Sequence, residues 1–210
     1  MSQQPSVQLV AHRPGEEGRR NELILTAARL FREQGYERTT VRELAGAVGL
    51  QSGSLFHHFR NKEEILLAVM ANGIQSVIEE GLAVLEGDGD PAQRLIALFR
   101  LHMHSLIYGV GGNAMHAIIF EWRSLSPSAR LRARELADAY EALWHRAITE
   151  ALAAGLLEGD PVVLRKFVLG GMNHMVRWYK SDGRIPPERL IEEMLTAAFP
   201  QLLSRLRETP

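Results

Sequence analysis

The chain has 210 residues, 46% hydrophobic and 23% charged, with a formal net charge of −1 and no cysteine. These fractions are ordinary for one or two globular domains and exclude global disorder, a collagen-like repeat and a disulfide scaffold. The absence of cysteine also excludes thiol catalysis and thiolate zinc sites.

Charge is unevenly spread: residues 1–62 carry a net of +3 and residues 63–210 a net of −4. A basic head on an acidic body is compatible with nucleic-acid binding by the head. No apolar run approaches the length of a membrane span, the longest being residues 65–71. The first 18 residues contain Pro5, Pro14, Gly15 and Gly18 and lack the apolar segment of a signal peptide. A cytoplasmic protein with no membrane partner is expected.

In chain order, apolar residues recur at helical spacing almost throughout, and no stretch alternates in the manner of a strand. Leu23, Ala27, Leu30 and Phe31 form the stripe of a first helix that Gly35 ends. Thr40, with Glu43 three residues on, predicts a capping box for a second helix through Val48, broken at Gly49. Ser52 is expected to cap a third helix over roughly 53–59, and Asn61 a long fourth one reaching about Glu86. After the 87–91 break a fifth helix runs to about Tyr108. A loop at Gly109 and Gly111-Gly112 precedes a sixth helix from Asn113 to about Arg123. Ser126 and Pro127 start a seventh that reaches about Ala154. An eighth is expected over 161–181 and a ninth from 187 to about 206, kinked or restarted at Pro200. The expected fold is all-α: a three-helix head on a helical bundle, about nine helices in all.

The sharpest signal is 39–66, TTVRELAGAVGLQSGSLFHHFRNKEEIL. Val41, Leu44, Ala45 and Val48 give one short helix an apolar face, and Leu55 and Phe59 lie on the inner face of the next. This is a helix-turn-helix pattern. Ser52, Gly53, Ser54, His57 and His58 are small or polar and are not needed for the core. Short side chains let the backbone approach a duplex, while Ser and His can hydrogen-bond base edges or phosphates.

The elements TT-x-R-x-LA, VG, S-x-SL-F-HHF and NKEE together resemble the DNA-binding signature of the TetR family of bacterial transcriptional regulators, over about residues 20–67. The resemblance implies a tail at 1–18, a DNA-binding head at 19–67 and a ligand-binding, dimerising body at 68–210. Carried over residue by residue, it implies that Thr40 anchors a phosphate. Ser52, Ser54 and His57 would read the groove, and His58 and Lys62 would contact the backbone. Arg42 is balanced between a phosphate contact and a solvated helix face. Phe56 stands where the family usually has Tyr, which leaves apolar contact with a sugar or a thymine methyl. The implied partners are an operator in double-stranded DNA, a second copy of the chain and a small-molecule effector. No cofactor or metal is implied.

The body has no family-wide motif of its own. The RWYK-x-x-G segment at 177–183, followed by PPERL, resembles family members whose effectors are acyl-CoA or steroid-derived CoA thioesters. Met103, Tyr108, Met115, Phe120, Trp122 and Trp178 offer large apolar side chains for an effector, balanced against a plain packed core. His104, Asn173 and His174 are candidate orienting groups, and Arg177 a partner for a phosphorylated head. His102 and His104 point about 200° apart on a helix and are not expected to share a metal. Dimerisation is expected through the last two helices, with Leu190, Met194, Leu195, Ala198, Phe199, Leu202 and Leu206 as the apolar face and Gly170-Gly171 allowing close approach. No nucleophile–base pair, phosphate-cradling loop or paired carboxylates appear, so an enzyme is not expected. The alternative is a helical enzyme or ligand carrier that uses the His/Met/aromatic interior without binding DNA.

Overall fold

The computed structural model describes residues 14–202, and all regular structure among them is helical. The elements are α1 (Pro14–Gln34), α2 (Val41–Ala47), α3 (Ser52–Leu55), α4 (Lys62–Glu86), α5 (Pro91–Ile107), α6 (Gly109–Glu121), α7 (Pro127–Ala153), α8 (Pro161–Met175) and α9 (Pro187–Ala198). A single 3-10 turn, Trp122–Ser124, joins α6 to α7. Residues 1–13 of the expected tail and the position of Leu206 lie outside the described residues; α1 already begins at Pro14.

Local chemistry sets most boundaries. Thr40 and Glu43 close the expected capping box on α2, and Asn61 accepts from the Glu64 N–H at the start of α4. Asp90 with Gln93 caps α5, Ser126 caps α7 and Asp160 caps α8. Gly35 and Gly49 take positive φ of 85° and 69°, the left-handed geometry that ends α1 and turns the chain between α2 and α3.

Four boundaries differ from the sequence reading. Gln51, not Ser52, is the extended residue before α3, and it caps without a side-chain bond. Beyond Leu55 the chain continues in turns, with the His57 N–H bonded to Ser54 and the His58 N–H to Leu55. The expected 109–112 loop is instead the first turn of α6, because Tyr108 both ends α5 and begins α6. Only a glycine fits that bend at Gly112, where a Cβ would stand 2.8 Å from the Leu106 carbonyl oxygen. Helix α8 stops at Met175, where N–H groups of Arg177 and Trp178 tighten onto the carbonyls of His174 and Met175. Finally α9 ends at Ala198, Phe199 leaves helical geometry, and helix resumes at Pro200.

Two cores meet along α4. Ile65, Leu66, Val69 and Met70 complete the head core with Leu23, Ala27, Phe31, Leu44, Leu55 and Phe59. Ala114 and Ala117 of α6 and Ala129 and Ala133 of α7 belong to that same core. Further along α4, Ile74, Val77 and Leu85 enter the body core with Phe99, Met103, Trp144, Leu195 and Phe199. The expected seam at 67/68 therefore falls inside a continuous helix, and the head is floored by residues of the body. Helix α4 is long and apolar enough to cross a membrane, but its apolar side chains are buried against its neighbours, as in a core helix. Where it crosses α6, a Cβ on Gly73 would lie 2.0 Å from the Ala114 Cβ.

The candidate dimer face is divided differently from the expectation. Leu190, Ile191, Leu195, Phe199 and Leu202 are all buried in the body's own core, with Phe199 edge-on to Phe99. The strong amphipathicity of α9 thus serves its own subunit. On α8, by contrast, Val163, Phe167 and Trp178 are 65%, 68% and 52% exposed.

Candidate nucleic-acid interface and effector region

Burial of Leu55 and Phe59 points the rest of the α3 turn outward. Gly53, Phe56 and His57 are exposed, and Ser52, Ser54 and His58 are half-buried beside them. Nothing lies within 4 Å of an added Cβ at Gly53, so a duplex can approach the backbone there. Phe56 presents half its surface to solvent, an unusual cost for a ring without a partner. Arg42 is exposed and forms no ion pair among the described residues.

Two expected phosphate contacts are corrected. The Thr40 hydroxyl donates to Glu43 Oε2 at 2.8 Å and accepts from the Glu43 N–H at 3.2 Å, so it is committed as a cap. The Thr40 N–H, bonded to the same carboxylate, holds the Glu43 pKa below its usual value, so an anion sits at this helix start already. Lys62 is turned inward. Its Nζ donates to the carbonyls of Tyr36 (2.9 Å), Thr39 (3.2 Å) and Glu37 (3.5 Å) and lies 4.1 Å from the Tyr36 ring centroid. An ammonium has three N–H bonds, and this one spends them tying the α1–α2 connection to α4. Arg60, exposed between α3 and α4 and without an ion pair among the described residues, is the cation the sequence reading passed over.

The residues proposed for an effector do not form one pocket. Phe120, Trp122 and Arg177 come together with Ile118, Ile119 and Arg123 along an open groove of about 640 Å³ on the outside of α6. The Arg177 guanidinium lies 5.0 Å from the Phe120 ring centroid. Met103 and Met115 are elsewhere, inside the core. His104 and Tyr108 face outward and stack at 5.4 Å, and the Tyr108 O–H donates to Glu188 at 2.9 Å, pinning the end of α5 to the start of α9. His174 and Trp178 lie on the exposed side of α8 with Val163 and Phe167, where Gly170 and Gly171 leave an open notch.

Asn173 alone of the polar candidates turns toward the interior. Its Oδ1 accepts from His102 Nε2 at 3.0 Å, and His102 Nδ1 accepts from the Tyr140 O–H at 2.6 Å. Burial lowers the His102 pKa to about 4, the Asn173 bond opposing it only in part. Burial likewise pushes the Tyr140 hydroxyl well up. The sequence reading missed this group. The available signal was the stripe Leu95, Phe99, His102, Leu106, which puts His102 on the inner face of α5. Next to it, Arg32, Leu106, His116, Met175 and Tyr179 line a cavity of about 50 Å³ between α1, α5, α6 and α8. That is room for a few waters.

Comparison with known proteins agrees with this geometry. A model described as "Bacterial regulatory proteins, tetR family" matches residues 23–69, and one described as "Tetracyclin repressor-like, C-terminal domain" matches 88–202. The crystal structure of AibR in complex with isovaleryl coenzyme A and operator DNA is 30% identical, covering 87% of this chain and 98% of that one, with a TM-score of 0.79. The superantigen PfiT is 42% identical over 86% of this chain and 96% of its own, with a TM-score of 0.74. The transcriptional repressor KstR2 of Mycolicibacterium smegmatis is 27% identical over 182 residues, 84% of this chain and 87% of its own. With an exposed reader turn in the head, a helical body behind it and both family models matched, the chain belongs to the TetR family of bacterial regulatory proteins.

Proposed function

We propose that this protein is a transcriptional repressor that binds a palindromic operator as a homodimer and releases it when a largely apolar small molecule enters the body. The observation that carries the reading is the exposed Gly53–Phe56–His57 surface on a head whose core is completed by α6 and α7. A shift of either body helix must move the head. The protein acts by binding, not catalysis. Ser54 and His57 read bases, with Ser52 and Phe56 beside them, and Arg42, His58 and Arg60 contact the backbone. The second copy docks on the outer face of α8, through Val163, Phe167, the Gly170-Gly171 notch, His174 and Trp178.

Two relatives support an acyl-CoA-type effector: AibR, crystallised with isovaleryl coenzyme A, and the repressor KstR2. Arg177, Phe120 and Trp122 on the outer groove suit the nucleotide end of such a molecule, since guanidinium groups pair with phosphate and rings stack on bases. The test is operator binding by the purified chain, challenged with acyl-CoA thioesters of graded length. Release by thioesters at concentrations that leave dimerisation intact supports the reading. Binding of all duplexes alike, or release by none of the thioesters, contradicts it. Ser54→Ala and His57→Ala are each expected to reduce the preference for operator over random DNA by roughly 1–3 kcal/mol, with nonspecific binding unchanged, as read by competition anisotropy.

A further inference from the structure

Inside the body runs a polar chain that neither the head nor the outer face of α8 uses. Tyr140 on α7 donates to His102 on α5, which donates to Asn173 on α8. One turn beyond Tyr140, the indole of Trp144 is fully buried and meets the His102 ring edge-on at 5.8 Å. Its Nε1–H leans electrostatically on the Tyr140 oxygen but meets no acceptor in hydrogen-bond geometry. A buried donor left in this state costs free energy that an incoming acceptor recovers.

The surroundings can make room for one. Met103, Met172 and Met175 are buried in the same core, and unbranched thioethers re-pack at little cost. The 50 Å³ cavity is close by. Leu106, four residues after His102, and Val176, three after Asn173, both line it, together with Met175. The cavity therefore sits about one helical turn, ~5.4 Å, from the His102–Asn173 bond.

We propose that this interior is the effector site, entered through that cavity, and that Trp144 Nε1–H donates to a neutral carbonyl oxygen on an otherwise apolar ligand: a thioester, ester or ketone, not a carboxylate. No Lys or Arg hydrogen-bonds into the chain among the described residues, and the histidine there is held neutral. A bare carboxylate would be buried without a counter-charge. The ligand spreads α5, α7 and α8, the last through Asn173. This rests on the reading that the body senses an effector.

The experiment uses the full chain with 15N-labelled indoles and three probes: octanoyl-N-acetylcysteamine, a neutral thioester without a nucleotide; 2-decanone; and octanoate. The Trp144 indole resonance is assigned with Trp144→Phe. The thioester and the ketone are expected to move that resonance downfield and to release operator, with octanoate at least tenfold weaker. Trp144→Phe is expected to bind operator as the parent chain does and to need at least tenfold more thioester for release. The proposal is overturned if no probe moves the Trp144 resonance, if octanoate matches the thioester, or if Trp144→Phe responds at the parent concentration. The indole titration on the unmutated chain decides the matter even where Trp144→Phe does not fold. A chain that binds no operator counts against the repressor reading, while the indole shift still tests the site.

Discussion

Lys62 shows how one side chain changes meaning between sequence and structure. In NKEE at a helix start it reads as a phosphate contact, yet its ammonium is used up by three carbonyls of the α1–α2 connection. Lys62→Met should therefore destabilise the fold by about 1–3 kcal/mol in urea unfolding, because it strands those carbonyls. The salt dependence of DNA binding should stay as it was, whereas losing a true phosphate contact would lower its slope by about one. His102 supplies a second test. Its pKa is lowered to about 4, against about 6.5 in an unfolded chain. Between those values the unfolded chain binds more protons. The stabilisation is thus whole above pH 6.5, falls as the pH drops and is gone near pH 4, a loss of roughly 3 kcal/mol. Urea unfolding at pH 7, 5.5 and 4 should show that loss in the parent chain and a shallower pH dependence in His102→Gln. Neither role was visible in the sequence, since both depend on partners 23 to 71 residues away that periodicity does not report.

Among the elements, caps and glycines were the legible part. Thr40–Glu43, Asn61, Ser126 and Pro200 act within a turn of their own position, so sequence spacing identifies them. The α5–α6 junction was not legible, because Gly109 to Gly112 looks like a loop until α5 packs against it. The apolar face of α9 was recognised but assigned to the wrong partner, since amphipathicity says that a face is buried and not against what. The consequence is measurable. Leu195→Asp should unfold the body, while Phe167→Asp on α8 should leave a folded monomer with weak operator affinity, as read by sedimentation and circular dichroism together. A folded dimer for Phe167→Asp would refute α8 as the docking face. The α4–α6 crossing is as sharply defined. Gly73→Ala puts a methyl into the Ala114 Cβ and should cost about 1–3 kcal/mol, or force the helices apart and alter operator affinity.

Over the whole molecule, the head and body are joined by more than a shared helix. The Tyr36 N–H donates to Glu121 at 3.1 Å, Arg32 donates to Asn113 at 3.1 Å, and Glu63 accepts from both the N–H and the hydroxyl of Ser126. These contacts fasten α1 and α4 to both ends of the α6–α7 segment, so displacement of that segment changes the attitude of each reader turn. In a dimer, two such turns must fall in successive major grooves, about 34–36 Å apart. Selection of bound duplexes from a large random pool by the full-length chain tests this most directly. The account predicts enrichment of a palindrome with half-sites about one helical turn apart, lost in His57→Ala and in monomeric Phe167→Asp. A pool that stays random after repeated selection, with the chain folded and dimeric, would contradict it.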